Sequence, residues 1–174
     1  VWKSTEGNIV FGHQRLSIID TSSAGHQPME IDSHVITFNG EIYNYLEIGA
    51  ELKAAGVELE TSSDTEVLLK AYQTWGDDAL GKLNGMFAFA IYDANQHRLF
   101  CARDRFGEKP FLFHSSDECF AFASEYKALL ALNNIDSAYD QDRILRFLYH
   151  PTRGLDDDIQ TVFNDIKQLP PGHS

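Results

Sequence analysis

The segment Met86-Phe87-Ala88-Phe89-Ala90-Ile91-Tyr92 constrains the fold more than any other stretch of the chain. Its period is two: Phe87, Phe89 and Ile91 share one face, and Ala88, Ala90 and Tyr92 the other. Both faces are apolar, so the strand must be covered on both sides, as in the central layers of a stacked sheet or sandwich. Residues 8–12 and 35–38 are short β-branched or aromatic runs that read as further strands. Strand character continues over 98–103, 110–114 and 119–123, and the polar turns at 93–97 and 115–118 have lengths that suit antiparallel hairpins. Helical periodicity occupies 43–55, closed by Gly56, and returns at 125–132 and 141–149. Between them, Ser63 and Glu66 have capping-box spacing ahead of Val67, Leu68, Ala71, Tyr72 and Trp75, an apolar stripe that Gly76 ends. With no strand–helix–strand phosphate-binding unit, the pattern is α+β, helices flanking mostly antiparallel strands.

A chain of 174 residues fits one domain, expected here over 1–174. Its 43% hydrophobic content supplies a core without a metal or disulfide staple. Lys plus Arg is 14 and Asp plus Glu 26, a net charge of −12 that argues against a nucleic-acid partner. The densest basic stretch, Arg98, Arg103, Arg105 and Lys109, is interrupted by Asp104 and Glu108. Cys101 and Cys119 lie in apolar alternating segments and read as buried free thiols of a reducing compartment. No apolar run approaches the roughly 20 residues of a membrane span, so a cytoplasmic protein is the default. Nucleophile-elbow and Walker motifs are absent. The histidines show no i, i+4 pairing and no Cys-x-x-Cys companion, so no metal is expected. His13 and His26 read as hydrogen-bonded structural residues, and Asp156-Asp157-Asp158 as a solvated acidic loop.

Three segments carry polar residues that a core pattern does not require. The strand ending at Phe38 stops in Asn39-Gly40, followed by Glu41. A tight turn explains the pair, since Asn and Gly both tolerate positive φ. So does an oxyanion hole, because an Asn amide beside a glycine N–H presents two adjacent donors. Arg15, before the apolar run Leu16-Ser17-Ile18-Ile19, is either a surface cation or a bidentate clamp for a carboxylate. Asp64 is either a first-turn acid favoured by the helix dipole or the receiver of a ligand ammonium.

Taken together, GHQRLSIID, GHQPM, FNGEIYNY, TSSDTEVLLKAY, LNGMFAFAIYD, ARDRFGEKP, FASEYKALL and LPPGH occur in this order across residues 11 to 173. In this the chain resembles the class II glutamine amidotransferase domain of the glutamine-hydrolysing asparagine synthetase family. The resemblance implies an N-terminal-nucleophile (Ntn) hydrolase fold, an αββα sandwich of two mostly antiparallel sheets flanked by helices. It implies glutamine as substrate and ammonia delivered to an ATP-dependent synthetase domain of the same polypeptide, which amidates aspartate. Asn39 and Gly40 would form the oxyanion hole. Arg15, with the backbone of Leu16 to Ile18 beside it, would grip the glutamine α-carboxylate. Glu41 and Asp64 would receive the α-ammonium.

The family's nucleophile is an N-terminal Cys whose α-amine serves as base, and its place precedes Val1, so the chain as written is expected to be catalytically inactive. Cys101 and Cys119 cannot replace it, having no free α-amine. No cofactor is expected in this domain; ATP and Mg belong to the synthetase domain. The resemblance leaves open a homodimer, a different carboxylate acceptor, and a degenerate binding or scaffold module. Glu108 and Tyr126 depart from the usual family residues at points outside the implied pocket. Arg103-Asp104-Arg105 is expected to form a structural ion-pair network.

Overall fold

The computed structural model describes residues 1–14, 25–154 and 159–174. In chain order the elements are β1 (Trp2–Lys3), β2 (Val10–Phe11), β3 (Met29–Ile31), β4 (His34–Ile42), α1 (Tyr45–Ala54), α2 (Asp64–Trp75), α3 (Ala79–Lys82), β5 (Gly85–Asp93), β6 (Arg98–Arg103), β7 (Leu112–Ser115), β8 (Phe120–Ala123), α4 (Tyr126–Leu130), α5 (Gln141–Tyr149) and β9 (Lys167–Gln168). Two units, Val1–Cys101 and Ala102–Ser174, each hold their own contacts.

In the first unit the doubly apolar segment is β5, buried from Phe87 through Asp93. It lies inside a sheet ordered β3-β4-β5-β6 and pairs antiparallel with β4 from His34↔Asp93 to Ile42↔Gly85. The small β1–β2 ladder is separate. Helices α1 and α2 pack on each other, and α2 lies against β4. Ile36, Ile42, Leu52, Leu69 and Ile91 are fully buried in this core, each such side chain contributing about 1.5–3 kcal/mol of hydrophobic stabilisation. Tyr72 stacks on Phe100 with ring centroids 5.1 Å apart.

Ser63 caps α2 as its spacing predicts, accepting the Thr65 N–H at 3.2 Å. Glu66 departs from the capping box. It spends both oxygens on the preceding loop, taking the N–H groups of Glu60 and Thr61 at 2.7 and 2.6 Å and the Thr61 hydroxyl at 2.6 Å. Of the stripe, Val67, Leu68, Ala71 and Tyr72 are buried, whereas Trp75 is half-exposed with the Lys82 ammonium 4.6 Å from its ring centroid.

The second unit is built on a sheet ordered β8-β7-β9, its pairs antiparallel, over a cluster of Leu112, Leu129, Ile135, Phe163 and Ile166. Its loops are held by the Arg103–Asp104 pair. Arg103 donates to the carbonyls of Lys109 (2.7 Å), Gly107 (2.8 Å) and Leu169 (2.7 Å), and to Gln168 Oε1 (3.2 Å). Burial draws its pKa down. Asp104 accepts the N–H groups of Phe106, Glu108 and Lys109, each at 3.0 Å. These bonds run mainly to backbone and tie the loop after β6 to the segment after β9.

Both cysteines are free, but they are half-buried and not buried as expected: Cys101 lies in β6, and Cys119 falls just before β8. The burial that remains pushes the Cys101 thiol up to about 12. His13 Nδ1 lies 3.3 Å from the Thr37 hydroxyl, while His26 is exposed. Asp156-Asp157-Asp158 lie outside the described residues. Among the described residues no helix is long and apolar enough to cross a membrane.

Candidate active site

Strand β4 is buried from Val35 to Phe38 and again at Ile42, but Asn39, Gly40 and Glu41 between them are half-exposed. Polar residues thus interrupt a strand without ending it, and the tight-turn account of Asn39-Gly40 fails: β4 pairs with β5 straight through them, Asn39↔Ala88, Gly40↔Phe87 and Glu41↔Met86. Gly40 has φ +149°, a backbone conformation that side chains rarely adopt. A Cβ there would overlap the Met86 carbonyl oxygen and stand 2.7 Å from Phe87 Cα, so only glycine fits.

The edge of β4 facing β3 carries the other half of the site. Strand β3 pairs with β4 only from Ile31↔His34 to Met29↔Ile36. Alternate N–H groups of a strand point to the same edge, so those of Phe38, Gly40 and Ile42 continue beyond the last β3 pair. The same register sets Gln27 opposite Phe38, and there the side chain takes over from the backbone: Gln27 Oε1 accepts the Phe38 N–H at 2.7 Å. Two residues past Gly40, Asp64 Oδ2 accepts the Ile42 N–H at 3.1 Å. The Gly40 N–H lies between these two and is claimed by neither brace.

The N-terminus of α2 is tied to the same edge. Gln27 Nε2 donates to the Thr65 hydroxyl at 3.3 Å, beside Asp64. Asp64 is 7% exposed. Burial raises its pKa, the N–H groups of Ile42 and Thr65 oppose the rise, and the nearby Glu41 charge adds to it. Two carboxylates close enough to feel one another, one of them buried, favour a cation between them.

Four of the residues singled out in the sequence, Asn39, Gly40, Glu41 and Asp64, therefore meet at one end of β4. Arg15, Leu16 and Ile18 lie outside the described residues. Asn44, of the same FNGEIYNY stretch, acts elsewhere, bridging the Lys82 carbonyl at 2.9 Å and the Asn84 N–H at 2.9 Å. The braces Gln27 and Thr65 were not singled out from sequence, although both fall in motif stretches; the rank of Gln27 depends on the β3–β4 register, which the sequence does not display. Among the described residues no group of His, Cys, Asp and Glu is placed to hold a metal ion.

A family profile described as a glutamine amidotransferase domain matches residues 1–174. The chain belongs to the glutamine amidotransferase domain family. This amidotransferase domain is 40% identical over 174 residues to the asparagine synthetase [glutamine-hydrolyzing] 3 of Bacillus subtilis (strain 168), covering 97% of the chain and 28% of that protein. To asparagine synthetase [glutamine-hydrolyzing] 1 of the same organism it is 44% identical over 143 residues, covering 81% of the chain and 22% of that protein. The chain thus spans about a quarter of the length of these relatives. Among solved structures it is similar to the glutamine phosphoribosylpyrophosphate amidotransferase of B. subtilis complexed with ADP and GMP, at 25% identity and a TM-score of 0.57, over 67% of this chain and 28% of that one. The α+β, Ntn-hydrolase-like fold expected from the sequence is the fold of this domain.

Proposed function

We propose that the domain hydrolyses glutamine and passes the ammonia to an ATP-dependent synthetase domain of the same polypeptide, which converts aspartate to asparagine. The observation that carries this reading is the Gly40 N–H standing between two braced neighbours, with Asn39 before it and the Glu41–Asp64 carboxylates beside it. A thiolate at the mature N-terminus, its own α-amine serving as base, adds to the side-chain amide carbon of glutamine. The Gly40 N–H and the Asn39 amide take the charge that develops on the carbonyl oxygen. The C–N bond breaks, the proton leaves with ammonia, and water then cleaves the thioester to release glutamate. Glu41 and Asp64 receive the α-ammonium, which relieves the repulsion between them. Arg15 grips the α-carboxylate, and backbone groups of Leu16 to Ile18 help to position it. Holding both ends of a free amino acid places its amide at the nucleophile.

ATP and magnesium serve the acceptor carboxylate and belong to the synthetase domain. Aspartate is favoured over other acceptors because the relatives named as asparagine synthetases are 40% and 44% identical, against 25% for the phosphoribosylpyrophosphate enzyme. A cytoplasmic setting agrees with two free thiols.

The test is a product assay on the full-length protein with glutamine, ATP-Mg and aspartate; glutamate and asparagine should form together. Asn39→Ala should lower kcat by about 10²–10³, or about 3–4 kcal/mol, with little change in KM. Unchanged turnover would remove the oxyanion assignment.

A further inference from the structure

We propose that Gln27 is a positioning residue for glutamine hydrolysis: its carboxamide stands in for the missing β3 backbone and holds the oxyanion-binding edge of β4 in place. The inference rests on the reading of Asn39 and Gly40 given above and adds a residue to which that reading assigns no role.

Three observations converge on this side chain. Its Oε1 accepts the N–H of Phe38, the residue immediately before Asn39, at 2.7 Å, the shortest of the side-chain contacts to the β4 backbone described above. Its Nε2 reaches the Thr65 hydroxyl at 3.3 Å, so the same carboxamide spans β4 and the first turn of α2, where Asp64 sits. The register places it two residues before Met29, where the β3–β4 ladder ends. Without Gln27 the Phe38 N–H, in a residue only 3% exposed, would be left without its acceptor. An oxygen bound near Gly40 would then have a competing donor two residues away. The strand end would also be free to shift against α2, and displacements of about 1 Å can cost 10²-fold in rate. Gln27 touches no reacting atom; it consumes one donor and fixes the spacing of the others. Glutamine is suited to this because one planar group offers an acceptor to the strand and a donor to the helix.

The experiment uses the full-length protein and three variants. Gln27→Met keeps the volume and removes both hydrogen bonds. Gln27→Glu keeps an acceptor for Phe38 and can accept from the Thr65 hydroxyl. Asn39→Ala is the control for the hydrolytic reading. The expected result for Gln27→Met is a kcat for glutamine hydrolysis lower by roughly 10- to 100-fold, KM within about threefold, and Phe38 amide exchange faster by roughly tenfold or more. Gln27→Glu should recover most of kcat and of the Phe38 protection. A well-folded Gln27→Met with wild-type kcat, beside a crippled Asn39→Ala, overturns the positioning role and leaves the hydrolytic reading standing. If Asn39→Ala also retains full turnover, the hydrolytic reading itself fails. Should Gln27→Met not fold, Gln27→Glu decides: protection and kcat near wild type support the brace, and loss of both overturns it.

Discussion

Asp104 in the second unit is 1% exposed and receives the N–H groups of Phe106, Glu108 and Lys109; Asp64 in the first is 7% exposed and receives that of Ile42. The two carboxylates are nearly equally hidden, yet their surroundings differ in kind. Around Asp104 the donors come from one short loop and wrap the charge, with the Arg103 guanidinium binding the neighbouring carbonyls. Around Asp64 burial raises the pKa, and a second carboxylate, Glu41, adds to the rise. A buried charge wrapped in backbone donors organises a loop. One left beside a like charge is a place where a ligand cation repays its desolvation. Burial alone therefore does not distinguish the two acids; the groups around each do.

The largest effect that would sharpen this contrast is on Asp104. Asp104→Ala removes the acceptor of three N–H groups and should cost about 3 kcal/mol or more in chemical denaturation, while glutamine affinity measured on the folded fraction stays unchanged. A large loss of affinity at full stability would erase the distinction. Next comes Gly40→Ala. Its Cβ meets backbone that cannot move aside, and its φ is strained, so a loss of about 2 kcal/mol or more is expected, again by denaturation, together with loss of turnover. Gly107→Ala offers the matching measurement in the other unit, where the new Cβ meets Pro171 Cγ at 2.8 Å and the Arg103 guanidinium at 3.1 Å. It should lower stability without lowering kcat beyond the folded fraction.

A smaller effect distinguishes Asp64. Its folded pKa lies above 3.8, so the folded state keeps a proton that the unfolded chain releases. Stability therefore falls as pH rises from about the unfolded pKa through the raised folded one, and the loss persists above that window. In Asp64→Asn, which still offers an oxygen to Ile42, that fall should be absent and glutamine affinity reduced. Denaturation midpoints at several pH values check the first, and calorimetry the second. A slope identical to the parent's would discard Asp64 as the titrating group. The smallest expected signal is at Cys101. With its thiol pushed up to about 12, it should resist iodoacetamide at pH 8 in the folded chain and react on unfolding, as peptide mass spectrometry would show.

Periodicity carried much of the fold. The two-faced apolar pattern of Phe87 to Tyr92 demanded a central strand, and Ser63 with the stripe from Val67 demanded α2, because both signals come from burial repeating along one element. Two-residue strands such as β1 and β9 left no such signal, since they owe their geometry to partners far along the chain. The same division runs through the site. Asn39-Gly40 stood out as unusual chemistry, but a turn is the simpler account of these letters alone, and only pairing with β5 on both sides of Gly40 removed the turn. Gln27 gave no warning, because a glutamine before a proline is ordinary until a ladder ends beside it.

By itself, then, the amino-acid order determined which segments bury which faces, and it singled out Asn39, Gly40, Glu41 and Asp64 as residues that a core does not require. The tertiary structure decided which of them meet. That step depends on register between segments distant in sequence, where a single hydrogen bond such as Gln27 to Phe38 is set by the end of one strand and the start of one helix, and by no local preference of either residue.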